Sequence, residues 1–317
     1  MKIPWLQPLV DSWQSSHAQG RPPHAIMLTG SVGTGKRSAA AWLARSRLDI
    51  GAPGSLPEHP LTIPEHADLR WVSPAEDKHT IGIDQIRELV AALGLTSYEG
   101  GGKVAVIEPA DAMTTNAANS LLKTLEEPPG NTLLVLVVDR PGRLPATISS
   151  RCQRVNIRVP SERDGMDWLQ HAQPGVSWLT ILREAGHAPL AALDALERLD
   201  DTNSMASDFV ALADGKAAPL QVAAKWAKHE PEFVLGWLGR QVQTCISRAT
   251  NGDSAGATAL VRDSVLDRID RRNMFCYLDI INRLRSQPAG SFNVQLTLEC
   301  LLIDWAERLK SPTGTEQ

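Results

Sequence analysis

The sequence is poor in cysteine, and its four cysteines, Cys152, Cys245, Cys276 and Cys300, form no Cys-x-x-Cys pair. That spacing excludes a zinc knuckle and offers no disulfide framework, so each is expected to act as a small buried hydrophobe. No run of about twenty apolar residues is present, and Met1-Lys2-Ile3-Pro4-Trp5 lacks a signal-peptide core. A cytoplasmic protein is therefore expected. A basic excess is missing too: the formal net charge is −4, so nothing marks a dedicated nucleic-acid binder and any DNA contact should be local or shared. No internal repeat or low-complexity tract stands out.

At 317 residues the chain is too long for one ordinary domain and is expected to form two or three. His24-Ala25-Ile26-Met27-Leu28-Thr29 is an apolar run entering Gly30-Ser31-Val32-Gly33-Thr34-Gly35-Lys36, and Ser38 to Leu48 continues with helical character. Leu69 to Val72 predicts a second strand and Lys103 to Ile107 another. Between them, Ile81 to Leu95 predicts a helix with apolar residues at Ile83, Ile86, Leu89, Val90 and Leu93. Strands alternating with helices argue for a parallel α/β sheet. After Pro160 the strand signals disappear. Ser161 to about Asn203 reads as a small helical lid ending in the polar break Asp200-Asp201-Thr202-Asn203-Ser204. Beyond it, Phe209 to Ala213, Leu220 to Lys228, Glu232 to Ser247, Thr258 to Asp270, Asn273 to Leu284 and Asn293 to Leu309 read as amphipathic helices. Trp42, Trp168, Trp226 and Trp237 are expected as core or interface anchors.

The most informative stretch is Asn119-Ser120-Leu121-Leu122-Lys123-Thr124-Leu125-Glu126-Glu127-Pro128-Pro129, followed by the apolar strand Thr132 to Val138 and then Ser150-Arg151-Cys152. Leu121, Leu122 and Leu125 share one helical face, Thr114 or Thr115 can cap the start, and the proline pair ends the helix. A continuous apolar run suits a parallel strand covered on both faces. Glu126 and Glu127, at a helix C-terminus, gain nothing from the macrodipole; they read as solvated charges or as an interface. These residues resemble the clamp-loader branch of the AAA+ ATPases, whose subunits open a sliding clamp and place it on primed DNA. The resemblance implies that Arg151, with Ser150 and Cys152 as its motif, is an arginine finger reaching in trans into the ATP site of a neighbouring subunit. A guanidinium is permanently charged and presents a planar fork of donors, which suits it to charge spreading over γ-phosphoryl oxygens. The plain alternative is a surface arginine after a strand. Many bacterial relatives carry a four-cysteine zinc module after the first long helix; here Ile50 to Asp68 has His59 and His66 and no cysteine, so no zinc is expected.

The phosphate loop looks disarmed. A Walker A loop cradles phosphates on backbone N–H groups, extends a lysine to them and holds Mg²⁺ with the following Ser or Thr. Gly30, Gly33, Gly35 and Lys36 are present, but the next residue is Arg37, which has no lone pair for a metal. The strand Lys103 to Ile107 runs into Glu108 and Pro109, where the family has a metal-supporting Asp and a water-activating Glu. Asp111 lies further on, and no arginine stands near Pro189, where the resemblance places a sensor residue. The glycine loop reads either as a structural turn with Lys36 solvated or as a weak ATP or ADP site without hydrolysis.

The expected fold is an α/β P-loop AAA+ domain with a parallel sheet (residues 1–160), a helical lid (161–203) and an all-α collar domain (204–317). The resemblance implies a non-hydrolysing stator of the bacterial DNA polymerase III clamp loader, set in a hetero-pentameric ring with tau or gamma motors and delta. No cofactor of its own and no metal are expected, and the clamp and primed DNA are met within the complex. An active tau- or gamma-type motor and a DNA-binding module on a degenerate AAA+ fold are the rival readings. Arg37 and Pro109 argue against the first, and scattered Lys and Arg against the second.

Overall fold

The computed structural model describes residues 1–50, 55–75, 78–251, 260–287 and 292–309. The chain divides into two compact units, Met1–Glu197 and Arg198–Gln317.

The first unit is built on five parallel strands: β1 (Ala25–Thr29), β2 (Leu69–Val72), β3 (Lys103–Ile107), β4 (Thr132–Val137) and β5 (Gln153–Asn156), in the order β2-β3-β4-β1-β5. Its helices in chain order are α1 (Gln7–Ala18), α2 (Lys36–Arg47), α3 (Ile83–Gly94), α4 (Thr115–Glu126), α5 (Ala146–Ser149), α6 (Glu162–Ala172), α7 (Trp178–Glu184) and α8 (Pro189–Glu197). Every residue of β1, β3 and β4 is buried, because helices cover both faces of the central sheet. The pleat divides the apolar runs between two cores. Ile26, Leu28, Val104, Val106, Leu133 and Val135 face α1, α2 and the helices after Pro160. Ala25, Met27, Ala105, Ile107, Leu134 and Leu136 face α3, α4 and α5. The parallel register Ala25↔Leu134 and Ile26↔Gln153 sets β1, β4 and β5 side by side, so the glycine loop, which follows Thr29, lies at the C-terminal ends of these strands, whereas the Ser150-Arg151-Cys152 corner, which precedes Gln153, lies at their N-terminal ends.

Of the leucines expected as core in α4, Leu121 and Leu125 are fully buried and Leu122 is half-buried against the same core, and Thr114 caps the helix by accepting from the Ala117 N–H at 3.2 Å. The N-terminal segment is tied to the helices after Pro160. Trp168 donates its indole N–H to the Lys2 carbonyl at 2.7 Å, and Trp5 meets the Trp168 ring edge-on.

The second unit is helical: α9 (Leu199–Ala213), α10 (Pro219–Trp226), α11 (Pro231–Asn251), α12 (Asp263–Leu266), α13 (Arg271–Ser286) and α14 (Val294–Ala306). Its core gathers Phe209, Trp226, Trp237, Tyr277 and Trp305, with Phe209 stacked on Trp305 at 4.3 Å and the buried Tyr277 hydroxyl donating to the Leu301 carbonyl.

Three expectations are corrected here. The polar run Asp200 to Ser204 is no break; it lies inside α9, where two carboxylates in the first turn suit the positive end of the helix. Of the helix expected over Thr258 to Asp270, residues 258 and 259 lie outside the described residues, and only Asp263–Leu266 of the remainder is α-helical. Of the four cysteines only Cys245 is buried; Cys152 and Cys276 are half-buried and Cys300 is exposed, because it sits on the outer face of α14. Residues 51–54 of the connection from Ile50 to Asp68 also lie outside the described residues.

Candidate functional site

β1 ends at Thr29 and the chain turns through Gly30, Gly33 and Gly35, all at positive φ (141°, 80° and 94°), before α2 begins at Lys36. Side chains other than glycine rarely adopt this backbone, so the spacing of the three glycines is what lets the loop close. The loop has the shape of a phosphate cradle, and the protein's own groups fill it. Lys36 is not solvated, contrary to the plain reading of the loop: its side chain is 4% exposed and its ammonium contacts the Gly30 carbonyl at 2.7 Å, the Ser31 carbonyl at 2.8 Å and an Asp139 carboxylate oxygen at 2.8 Å. Three donors meet three oxygens, which leaves the ammonium saturated.

The adjacent cation is spent in the same way. Arg37 pairs with Glu108 at the end of β3, and the other Glu108 oxygen accepts the Trp71 indole N–H at 2.9 Å. Burial pushes the Glu108 carboxyl above its ordinary range, opposed by the Arg37 charge and the Trp71 bond. Arg37 thus brings to the Walker B position the positive charge that a metal would bring. Asp111 is engaged elsewhere, accepting the backbone N–H of Asp139 at 2.9 Å. From above, the Leu190 N–H at the start of α8 donates to the Gly33 carbonyl at 3.1 Å, and a Cβ on Gly33 would lie 2.3 Å from Ala191. Ile3 and Leu6 pack against Gly35, and Trp5 donates to the Thr34 carbonyl. A phosphate entering the loop would meet a lysine already bonded to three oxygens and the α8 turn on Gly33, and Glu108 is already held by Arg37. Among the described residues, no group of three or more His, Cys, Asp or Glu is arranged to hold a metal.

Ser150-Arg151-Cys152 forms a separate corner between α5 and β5. Cys152 tucks into the core shared by α3, α4 and α5, and burial pushes its thiol up to about 11. Ser150 donates to the Thr147 carbonyl at 3.2 Å, which tightens the turn. Arg151 points outward with its side chain 34% exposed. It is not free: Nε donates to Glu126 at 2.8 Å, Nη2 pairs with the same oxygen, and Nη1 donates to the Thr147 carbonyl at 2.9 Å. Glu126 is therefore paired with Arg151 while staying half exposed at the end of α4. The corner and the glycine loop are distinct sites, and no bond joins Arg151 to Lys36, Arg37 or Glu108.

The comparisons with known proteins fit this geometry. A family model described as "DNA polymerase III, delta subunit" matches residues 5–161, the whole span from α1 to the end of the sheet. The chain is 29% identical to the DNA polymerase III subunit delta′ of Pseudomonas aeruginosa, over 96% of this chain and 97% of that protein. It is 32% identical to the delta′ subunit of Escherichia coli K12 over 60% of this chain and 59% of that protein. The chain belongs to the DNA polymerase III delta′ family. In fold it is similar to a crystal structure of a DNA polymerase III gamma subunit-related protein from Thermotoga maritima, with a TM-score of 0.51 and 20% identity over 97% of this chain and 99% of that one. The architecture is accordingly that of an AAA+ clamp-loader subunit: a P-loop α/β domain followed by helices. Among the described residues no helix is long and apolar enough to cross a membrane.

Three residues that contact the glycine loop, Asp139, Leu190 and Ala191, escaped the reading of the sequence. Asp139 carries no motif of its own and meets Lys36 only because β1 and β4 are neighbours in the sheet. Ala191 and Leu190 sit on the glycine loop through the fold-back of α8, which no local pattern announces.

Proposed function

We propose that this chain is a non-hydrolysing stator of the DNA polymerase III clamp loader, and that it lends Arg151 in trans to the ATP site of an adjacent motor subunit. The observation that carries the reading is Lys36: the cation that should meet a γ-phosphate is buried against Asp139 and two carbonyls. With Arg37 committed to Glu108 as well, both cations of the loop are neutralised within the chain. Arg151, on the separate corner before β5, keeps about a third of its side chain exposed. In the neighbour, water attacks the γ-phosphorus, the bond to the β-γ bridging oxygen breaks, and ADP and phosphate leave. Negative charge spreads over the phosphoryl oxygens during that step, and a guanidinium supplied across the interface lowers its cost, a contribution on the order of 10³–10⁵ in rate for fingers of this kind.

The partners in this reading are tau or gamma and delta in a hetero-pentameric ring, with the sliding clamp and primed DNA engaged by the assembly in the cytoplasm during replication. The chain needs no nucleotide and no zinc of its own. The test is ATP turnover by the purified chain alone. The expected result is none, with or without primed DNA; sustained turnover at motor-like rates would return the chain to the motor class.

A further inference from the structure

We infer that Glu126 is the resting partner of Arg151, a positioning residue that holds the finger until a neighbour's nucleotide displaces it. The inference rests on the trans-finger reading above. Glu126 is the last residue of α4 and Arg151 follows α5, so the contact joins the two sequence motifs that mark the family. One carboxylate oxygen closes the Nε edge of the guanidinium through both Nε and Nη2, while Nη1 is drawn to the Thr147 carbonyl and lies 3.4 Å from Ser150 Oγ. A guanidinium paired in this way carries little net charge to a phosphate and has few donors left for one.

The place of Glu126 is informative. A carboxylate at a helix C-terminus adds to the negative end of the macrodipole, so α4 itself gains nothing from it. A cation resting there is attracted by both the carboxylate and the last carbonyls of the helix. The pair is also weak enough to exchange: both side chains are substantially exposed, 34% for Arg151 and 50% for Glu126, and exposed pairs contribute little to stability. A triphosphate in the neighbouring site presents more negative charge than one carboxylate, and with the finger engaged the Glu126 charge would repel that triphosphate. Engagement therefore means leaving Glu126, and the cost of leaving sets a threshold below which the motor stays quiet.

The experiment is ATP turnover by the reconstituted clamp loader carrying Glu126→Gln, Arg151→Ala or both, measured without and with clamp and primed DNA. Glutamine keeps the size of the side chain and removes the charge. The expected result is a rise of roughly two- to fivefold in the resting rate with Glu126→Gln, a rate with clamp and DNA close to wild type, and no effect of Glu126→Gln in the Arg151→Ala background. A resting rate that stays the same or falls, or a rise that persists without Arg151, overturns the role of Glu126 while leaving the finger in place. A full stimulated rate in Arg151→Ala removes the finger itself, and the role of Glu126 with it. Because both residues lie on the surface, recovery of the assembled complex by gel filtration separates these outcomes from misfolding.

Discussion

At the scale of single residues, the most telling side chain is a lysine that has changed employment. In an active phosphate loop its loss abolishes catalysis and leaves the fold standing. Here Lys36 bridges the glycine loop to Asp139 from a buried position, so the order of effects is reversed. Lys36→Ala is expected to cost this chain about 1–3 kcal/mol, the usual penalty for leaving buried polar partners unmet. Turnover by complexes that assemble with it is expected to be unchanged. Denaturant unfolding of the chain and ATPase of the purified complex check the two halves. The absent Ser or Thr at position 37 and the absent base at Pro109 were legible as missing chemistry. What replaces that chemistry was not, since the ion pairs Lys36–Asp139 and Arg37–Glu108 depend on which strands lie side by side. Cys152 makes a second point. It looks like part of a reactive motif, yet burial holds its thiol near 11, so very little thiolate exists at pH 8. Iodoacetamide at that pH is expected to label exposed Cys300 well before Cys152, as peptide mass mapping of the native chain would read out.

At the scale of elements, strands and helices were legible where burial is two-sided or strongly one-sided. β2 and β3 fall where the apolar runs predict them, and α3 keeps the expected apolar face at Ile86, Leu89 and Leu93. β5 carried no such signal: Gln153, Arg154 and Asn156 are exposed on the sheet edge, where charge guards against unwanted pairing instead of filling a core. The polar start of α9 misled for a related reason, because acidic residues that look like a linker are also good first-turn residues. The turn after β1 shows how tightly an element can depend on one position. A Cβ on Gly30 would lie 2.3 Å from the Ile157 carbonyl oxygen, and the residue sits at φ 141°. Gly30→Ala is thus expected to destabilise the first unit by on the order of 1–3 kcal/mol, the scale of a strained backbone residue. Thermal unfolding would show it as a lowered melting temperature.

At the scale of the whole molecule, the chain keeps the AAA+ architecture, and in the proposed reading it does not itself carry out the chemistry. The glycine loop, α2 and the parallel sheet remain because they are the core, with Ala39, Ala40, Leu43 and Ala44 of α2 packed on the sheet. Lys36 and Arg37 are neutralised by Asp139 and Glu108 within the chain, and Arg151 stands apart on the corner before β5, paired with Glu126. The proposed stator role depends on a neighbouring subunit, so its decisive test belongs in the assembly. That test is the clamp- and DNA-stimulated ATPase of the reconstituted complex with wild-type chain, Arg151→Ala and Arg151→Lys. Lysine keeps the charge and loses the planar fork. The account predicts that both variants assemble and that both lose most of the stimulated turnover, at least tenfold at the site they serve; wild-type turnover in complexes that contain Arg151→Ala would contradict it.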